Sequence, residues 1–160
     1  IIGEKASRVN YIILDVDGVL TDGSLILGTG GQEFKVFNSR DGLGIVKAIK
    51  KGLIFFIISG RSSEAVSKRA EELSITGVYQ EVEDKLALYK MLKKKWDFVD
   101  EEAACIGDDL NDLPLLQRVG LSFTVADGVK EVKQNVDVIL NKRGGRGAVR
   151  EAIDLVLSFR

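Results

Sequence analysis

Short apolar runs alternate with amphipathic stretches along most of the chain. The runs are rich in β-branched and aromatic residues and show no polar alternation, which is typical of parallel strands buried on both faces of a sheet. The predicted strands are residues 11–14, 53–58, 103–106, 121–125 and 138–140.

The stretches between these runs carry apolar residues at helical spacing. The predicted helices are residues 43–51, 63–73, 85–95, 112–119, 129–135 and 148–159. Alternating strands and helices imply right-handed βαβ units. We therefore expect a doubly wound, Rossmann-like α/β/α fold with three layers and a mainly parallel sheet. Ligands of such folds bind beyond the carboxyl ends of the strands.

One segment interrupts the alternation. Two apolar stretches flank a glycine-rich turn, which predicts a small β-hairpin inserted after the first strand, over about residues 24–37. Several of its apolar side chains have no obvious partner within one copy of the chain. They either contact other subunits or pack back onto the chain's own sheet, and the pattern favours neither. These side chains are Leu25, Leu27, Phe34 and Val36.

The composition is that of an ordinary globular protein. The 160 residues suffice for a single domain, residues 1–160, and 45% of them are hydrophobic while 29% are charged. A formal net charge of −1 provides no overall basic field for nucleic acid or an anionic membrane. The longest apolar runs are too short to span a bilayer. We expect a cytoplasmic protein.

Two residue types restrict the chemistry. Histidine is absent, which excludes histidine-dependent triads, histidine metal sites and imidazole acid–base catalysis. Proton transfer is left to carboxylates, lysine, tyrosine or water. The one cysteine, Cys105, lies inside an apolar run and is expected to be a buried, inert thiol.

Asp15 and Asp17 are the most informative residues of the chain. They directly follow the first predicted strand, so both carboxylates reach the same loop, and Gly18 allows a sharp turn there. Asp and Gly after a strand often indicate only a turn. The pair is also suited to phosphoryl transfer, with one carboxylate as nucleophile or metal ligand and the other as proton donor.

Two further candidates follow other apolar runs. Ser59 can hydrogen-bond a phosphoryl oxygen next to a helix N-terminus, or it can serve only as a helix cap. Lys85 opens a predicted helix, where a cation opposes the macrodipole. A nearby anion would explain that position, although a solvated surface lysine is the commoner case.

The last candidate is the G-D-D-L-N-D segment at residues 107–112, directly after the third predicted strand. Its carboxylates Asp108, Asp109 and Asp112 form a cluster of hard oxygen ligands. Such a set, without histidine or cysteine, favours Mg²⁺ over zinc. An acidic, capped helix start is the simpler interpretation. A second acidic cluster at another strand end makes a shared metal site the better one.

The four segments, in this order, resemble the haloacid dehalogenase superfamily of phosphatases. The matching segments are D-V-D-G-V at 15–19, S-G-R at 59–61, Lys85 and G-D-D-L-N-D at 107–112. A response-regulator receiver domain also places acids, a hydroxyl and a lysine at strand ends. Its phosphorylated aspartate follows a middle strand, however, whereas the D-x-D segment here follows the first.

A closer resemblance is to the capless family of 3-deoxy-D-manno-octulosonate 8-phosphate (Kdo 8-phosphate) phosphatases. It rests on D-V-D-G-V-L-T-D-G at 15–23, F-N-S-R-D-G at 37–42, Tyr79-Gln80 and, most specifically, G-G-R-G-A-V-R-E at 144–151. The resemblance implies Mg²⁺-dependent hydrolysis of that sugar phosphate, in lipopolysaccharide precursor synthesis.

The resemblance also implies residue roles. Asp15 attacks phosphorus and forms an aspartyl-phosphate, while Asp17 protonates the leaving sugar oxygen and then activates water. Ser59 and Lys85 steady the phosphoryl group. The implied Mg²⁺ ligands are Asp15, the Asp17 backbone carbonyl and Asp108, with Asp109 and Asp112 supporting the metal shell or orienting Lys85.

Substrate recognition is assigned in the same way. Arginines suit the sugar carboxylate, and Arg40 and Arg61 are the first candidates, with Arg69 next. The resemblance implies a recognition loop formed by Asn38, Ser39, Arg40, Asp41 and Gly42. Relatives are homotetramers that associate through the hairpin and bind substrate partly across subunits, which implies the same here.

Two other functions remain open at this point. A related phosphatase could act on another sugar phosphate, such as a sialic-acid 9-phosphate, with the same chemistry and different sugar recognition. A non-catalytic domain could bind phosphosugars in a regulatory role, although it would need fewer than four catalytic segments.

Overall fold

The computed structural model describes all 160 residues. Its central sheet has six strands, and a separate two-stranded sheet lies outside it. In chain order the strands are β1 (Tyr11–Leu14), β2 (Ile26–Leu27), β3 (Glu33–Phe34), β4 (Ile54–Ile58), β5 (Gly77–Tyr79), β6 (Ala103–Gly107), β7 (Leu121–Thr124) and β8 (Val138–Ile139).

The chain also forms seven α-helices. They are α1 (Ile2–Ser7), α2 (Ser39–Lys50), α3 (Glu64–Leu73), α4 (Lys85–Trp96), α5 (Leu113–Leu116), α6 (Lys130–Lys133) and α7 (Ala148–Ser158). No helix combines the length and the apolar character needed to cross a membrane.

The central sheet is parallel throughout, in the order β5-β4-β1-β6-β7-β8. Strand β1 lies in the middle, with Leu14 in register with Ile57 of β4 on one side and Ile106 of β6 on the other. The loops after these three strands therefore leave the sheet side by side. This is the expected doubly wound α/β/α fold.

The core has two parts, one on each face of the sheet. Ile12 and Leu14 of β1 pack into the larger part, against α2, α3 and α7. Ile13 points the opposite way, into the smaller part, where Tyr89 of α4 and Leu115 of α5 lie. The continuous apolar runs are thus explained, because both faces of the central strands are buried. Cys105 is buried and unpaired, as expected.

Strands β2 and β3 form the predicted hairpin, with shorter strands than the sequence indicates. The hairpin makes its own sheet, which is not hydrogen-bonded to the central one. Its apolar side chains are exposed, Leu27 to 71% and Val36 to 61%. Of the two expectations for these side chains, packing onto the chain's own sheet is wrong.

Several elements differ from the sequence-based prediction, and helices α5 and α6 are each only four residues long. Strand β5 at the sheet edge and helix α1 at the N-terminus were not predicted, because each is too short to establish a period. Helix α2 begins at Ser39 and not at residue 43. The Asn38 side chain caps it by accepting hydrogen bonds from the N–H groups of Arg40 and Asp41. The segment predicted as a recognition loop is therefore the first turn of a helix.

Candidate active site

A polar cleft of about 260 Å³ opens at the carboxyl ends of the central strands. It lies at the point where successive strands change from one side of β1 to the other. Doubly wound folds bind their ligands at this point. No hydrophobic residue lines it. Its lining residues are Asp15, Asp17, Gly23, Ser59, Gly60, Arg61, Asp108, Asp109 and Asn111.

The loop after β1 is a tight turn fixed by its own polar groups. Asp15 Oδ1 accepts a hydrogen bond of 2.8 Å from the Val16 N–H, and the Thr21 N–H reaches back to the Val16 carbonyl at 3.1 Å. Gly18 has a φ of +88° and lies against the Asp108 carboxylate, where a side chain would collide. The turn thus requires glycine for both its conformation and its closeness to Asp108.

The glycine-rich segment before α7 packs directly against this turn. The Gly145 N–H donates to the Val19 carbonyl at 3.1 Å, and a Cβ atom at Gly144 would collide with the Gly18 carbonyl. Gly145 has a φ of +72°, a conformation in which side chains are strained. The segment therefore supports the turn that follows Asp15 and Asp17.

Lys85 lies beneath the cleft and not in its wall. Its side chain is 2% exposed, and its Nζ donates to Asp15 Oδ1 at 3.0 Å and to Asp112 Oδ1 at 2.6 Å. These carboxylates are the anions that explain a cation in the first turn of α4. Burial opposes the charge on Lys85, but the two carboxylates outweigh it and raise its pKa above the ordinary value.

Asp112 holds two parts of the site together. Its Oδ1 accepts from Lys85, while its Oδ2 accepts from the backbone N–H of Asp108 at 3.0 Å and of Asp109 at 3.4 Å. Both oxygens are therefore occupied within the protein. Asp109 is exposed, and its carboxylate caps the turn that follows through the Leu110 N–H.

Three carboxylates converge at the bottom of the cleft. One oxygen each of Asp15, Asp108 and Asp112 lies within 4.8 Å of the other two. Because Asp112 is occupied by Lys85 and backbone amides, Asp15 and Asp108 are the side chains left to bind a cation. An all-oxygen donor set of this kind fits Mg²⁺.

The electrostatics of Asp15 and Asp108 also favour a bound divalent cation. Burial and the negative charge of Asp112 raise the pKa of Asp15, and Lys85 offsets only part of that rise. Burial and the charge of Asp15 raise the pKa of Asp108. The protein alone thus disfavours having both groups ionised. A divalent cation would offset the repulsion, and its affinity should increase with pH because the ligands must lose their protons.

We expect Mg²⁺ to stabilise the folded protein through Asp108. At 100 times its Kd, a ligand specific to the folded state contributes about 2.7 kcal/mol, which corresponds to a rise in Tm of roughly 5–10 °C for a domain of this size. Asp108→Asn should lose most of that rise in a thermal melt with and without Mg²⁺. The control is Glu101→Gln, at an exposed residue without ion pairs, and this variant should keep the full rise in Tm. An unchanged rise in Asp108→Asn would exclude Asp108 as a ligand.

The loop after β4 forms the facing wall. Ser59 is 3% exposed, its N–H donates to the Tyr79 carbonyl of β5, and its Oγ accepts from the Arg61 N–H at 3.3 Å. The Arg61 side chain is about half exposed and extends over the cleft. A hydroxyl and a guanidinium thus face the paired carboxylates across the opening.

The remaining predicted recognition residues do not line this cleft. Asp41 is 1% exposed and accepts from the Arg150 N–H at 2.9 Å, so its carboxylate joins α2 to α7. The Arg69 guanidinium lies 5.9 Å from the centre of the Phe37 ring. Arg40 lines a separate cavity with Arg146 and Arg150. Asp41 therefore lies outside the cleft of its own chain, and its role in recognition stays a prediction.

The other members of that predicted set have local roles in the helix. Asn38 caps α2, Ser39 is its exposed first residue, and Gly42 is buried where a Cβ atom would meet the Arg69 guanidinium. These residues order the first turn of α2.

The sequence-based prediction omitted five residues at the cleft. Gly23, Gly60 and Asn111 line it, and Lys35 and Glu33 reach it from the hairpin. Asn111 lies within a recognised acidic segment and could have been named. The two hairpin residues carry no local signal, because their position depends on how the hairpin folds over the cleft.

This arrangement of a parallel sheet, paired carboxylates, a strand-end serine and a buried lysine defines a haloacid dehalogenase-like hydrolase. The family of that description matches residues 78–153 of the chain. The chain is 43% identical to the 3-deoxy-D-manno-octulosonate 8-phosphate phosphatase KdsC of Escherichia coli (strain K12), over 96% of this chain and 81% of that protein.

Solved structures agree with the sequence comparison. The Moraxella catarrhalis Kdo 8-phosphate phosphatase, crystallised with magnesium, phosphate and KDO, has a TM-score of 0.97 and 40% identity. That alignment covers 99% of this chain and 91% of the other. The Yersinia pestis Kdo 8-phosphate phosphatase has a TM-score of 0.97 and 40% identity, and the alignment covers 99% of this chain and 85% of the other. The chain belongs to the Kdo 8-phosphate phosphatase family.

Proposed function

We propose that this chain is a Mg²⁺-dependent phosphatase that hydrolyses Kdo 8-phosphate to Kdo and phosphate. The observation that carries the proposal is the buried Lys85, which holds Asp15 at the floor of a cleft that also contains Asp17, Ser59 and Asp108. The 43% identity to named Kdo 8-phosphate phosphatases supports the choice of substrate.

Asp15 is suited to be the nucleophile. Oδ1 is fixed by the Val16 N–H and by Lys85, which leaves Oδ2 as the oxygen to attack phosphorus. In the first step a bond forms from Asp15 to phosphorus and the bond from phosphorus to the sugar oxygen breaks. The sugar oxygen takes a proton from Asp17, which lines the same cleft.

In the second step water hydrolyses the aspartyl-phosphate. The water oxygen bonds to phosphorus, the bond from Asp15 to phosphorus breaks, and the proton of the water returns to Asp17. Ser59, which lines the same cleft, would donate a hydrogen bond to a phosphoryl oxygen in both steps. Because histidine is absent, both proton transfers fall to a carboxylate, and Asp17 is the one that lines the cleft beside Asp15 in the same loop.

Mg²⁺ would be held by Asp15, Asp108 and the backbone carbonyl of Asp17. When bound, it offsets the repulsion between a carboxylate nucleophile and a phosphate dianion. Lys85 contributes positive charge from beneath, and its place in a dry environment makes that charge effective. Asp112 and Asp109 keep the loop of Asp108 in its conformation.

We also propose that the substrate carboxylate is bound by arginines, some of them from a second subunit. Arg61 is the arginine of this chain that lines the cleft. Arg40 lines a separate, arginine-rich cavity and would serve a neighbouring copy. The reaction would be part of lipopolysaccharide synthesis and would take place in the cytoplasm, where charged sugar phosphates are made and retained.

The hairpin is the proposed surface for assembly into a homotetramer. Leu27→Lys should disrupt assembly by placing a charge in an apolar contact, without unfolding the chain, because Leu27 is 71% exposed. Sedimentation velocity over a range of concentrations would measure the change. Gln32→Lys, at an exposed polar position of the same hairpin, is the control. Assembly of Leu27→Lys identical to that of the natural sequence would contradict this interface.

The experiment for function is phosphate release from a panel of phosphosugars, with Mg²⁺ and with EDTA. We expect Mg²⁺-dependent turnover and the highest kcat/KM for Kdo 8-phosphate. A higher value for a sialic-acid 9-phosphate would transfer the assignment to that substrate with the same mechanism. Binding without turnover of any member would leave the regulatory domain as the better interpretation.

A further inference from the structure

The base of the hairpin carries a closed ring of charges over the cleft. Lys35 Nζ lies 2.7 Å from Asp17 Oδ1 and 3.5 Å from Glu33 Oε1. Arg61 completes the ring, with Nη2 2.7 Å from Glu33 Oε1 and Nε 3.9 Å from Asp17 Oδ2. The ring joins the loop after β1, the hairpin and the loop after β4.

Lys35 is the buried member of this ring. Its side chain is 1% exposed, whereas that of Arg61 is 48% exposed. A buried ammonium is retained only when it is paired, and the two carboxylates that pair it are Asp17 and Glu33. Its hydrogen bond to Oδ1 is the one hydrogen bond that the Asp17 side chain makes. The contact of Asp17 with Arg61 is longer than a hydrogen bond.

We propose that Lys35 is a positioning residue for proton transfer, which fixes the Asp17 carboxylate so that Oδ2 faces the substrate oxygen and later the water. The inference rests on the proposed function, in which Asp17 transfers that proton. With Oδ1 committed to Lys35, one oxygen remains to exchange a proton. Without Lys35 the Asp17 side chain would sample other rotamers, and fewer encounters would be productive.

Two substrates with different leaving groups distinguish a role of Lys35 in proton transfer from a purely structural role. A sugar oxygen must be protonated as its bond to phosphorus breaks, whereas p-nitrophenolate leaves without a proton. Lys35→Met should therefore slow attack on Kdo 8-phosphate but not on p-nitrophenyl phosphate. Hydrolysis of the aspartyl-phosphate still needs Asp17 as base and should be slow with either substrate.

We expect Lys35→Met to lower kcat for Kdo 8-phosphate about 100-fold, the lower range for loss of general acid–base catalysis, with KM changed less than about threefold. With p-nitrophenyl phosphate it should give a stoichiometric burst of nitrophenolate followed by slow turnover. Lys35→Arg, which keeps a donor, should recover at least about tenfold in kcat. Lys94→Met, at an exposed lysine of α4, should behave as the natural sequence.

Two outcomes would overturn the inference. One is an unchanged kcat for Kdo 8-phosphate in Lys35→Met. The other is an equal fall in the rate of the first step for Kdo 8-phosphate and p-nitrophenyl phosphate, without a burst. If Lys35→Met does not fold, the burst is measured in Lys35→Gln, with the same expectation. Failure of the proposed function is separate, since the natural sequence would then release no phosphate from Kdo 8-phosphate.

Discussion

Asp15→Asn should abolish turnover and leave the fold intact. The amide cannot attack phosphorus and is a weak metal ligand, so kcat should fall at least about 10⁴-fold, as when other enzymes lose a nucleophile. The fold should persist because burial and Asp112 disfavour the Asp15 carboxylate, which is why its pKa is raised. Phosphate release and a urea melt, both on the same preparation, measure the two effects.

The control for Asp15→Asn is Asp97→Asn, which removes the same charge from the residue that follows α4, away from the cleft. It should keep full activity. Residual turnover of Asp15→Asn above about 1% of the natural value, with no deamidation by mass spectrometry, would show that another group attacks phosphorus.

Lys85→Met should damage both activity and stability. The variant keeps an unbranched side chain of similar size but leaves Asp15 and Asp112 as buried carboxylates without their cation. Breaking a buried ion pair from one side costs about 3–5 kcal/mol. Loss of positive charge beneath the nucleophile should lower kcat at least about 100-fold. Urea unfolding in Mg²⁺-free buffer and steady-state kinetics measure these effects.

The stability deficit of Lys85→Met should depend on pH. Lys85 lowers the pKa of Asp15 against the effect of burial, so its loss raises that pKa further. A carboxyl group whose pKa is raised by folding favours the folded state while protonated and disfavours it as the pH rises through that pKa. The deficit should therefore be larger at pH 8 than at pH 5.

Lys90→Met is the matched control on the same helix, because Lys90 is exposed and makes no ion pair. It should change stability by less than about 0.5 kcal/mol. A pH-independent deficit in Lys85→Met, equal to that of Lys90→Met, would mean that the two ion pairs contribute nothing.

The position of the site could be predicted from the sequence for a physical reason. Parallel strands end at one edge of a sheet, so residues that directly follow the strands must meet there. Asp15, Ser59 and Asp108 each follow a central strand, and the structure brings all three to one cleft. Their clustering needed only the strand assignments and the order of the chain.

What the sequence did not reveal depends on longer-range geometry. Lys35 lies next to a two-residue strand in a hairpin, and nothing local shows that its ammonium is buried against Asp17. The start of α2 was obscured by Gly42 and Gly44, which are poor helix formers but are buried close to Arg69 and Arg150. Tertiary packing decides both cases.

The recognition residues mark a different limit. Arg40 lines a separate cavity and not the cleft of its own chain, so its proposed role depends on a neighbouring copy. The exposed hairpin and this arginine-rich cavity would both acquire partners in an assembly. The chemistry belongs to the single chain, whereas part of the specificity is proposed to belong to the oligomer.

The most direct test of the central claim is a rapid-quench single turnover with Kdo 8-phosphate labelled with ³²P. In the presence of Mg²⁺, label should appear on the protein before free phosphate and should map to the peptide that contains Asp15. It should be absent from Asp15→Asn. Release of labelled phosphate without prior labelling of Asp15, or labelling of another residue, would contradict hydrolysis through an Asp15 phosphoryl-enzyme.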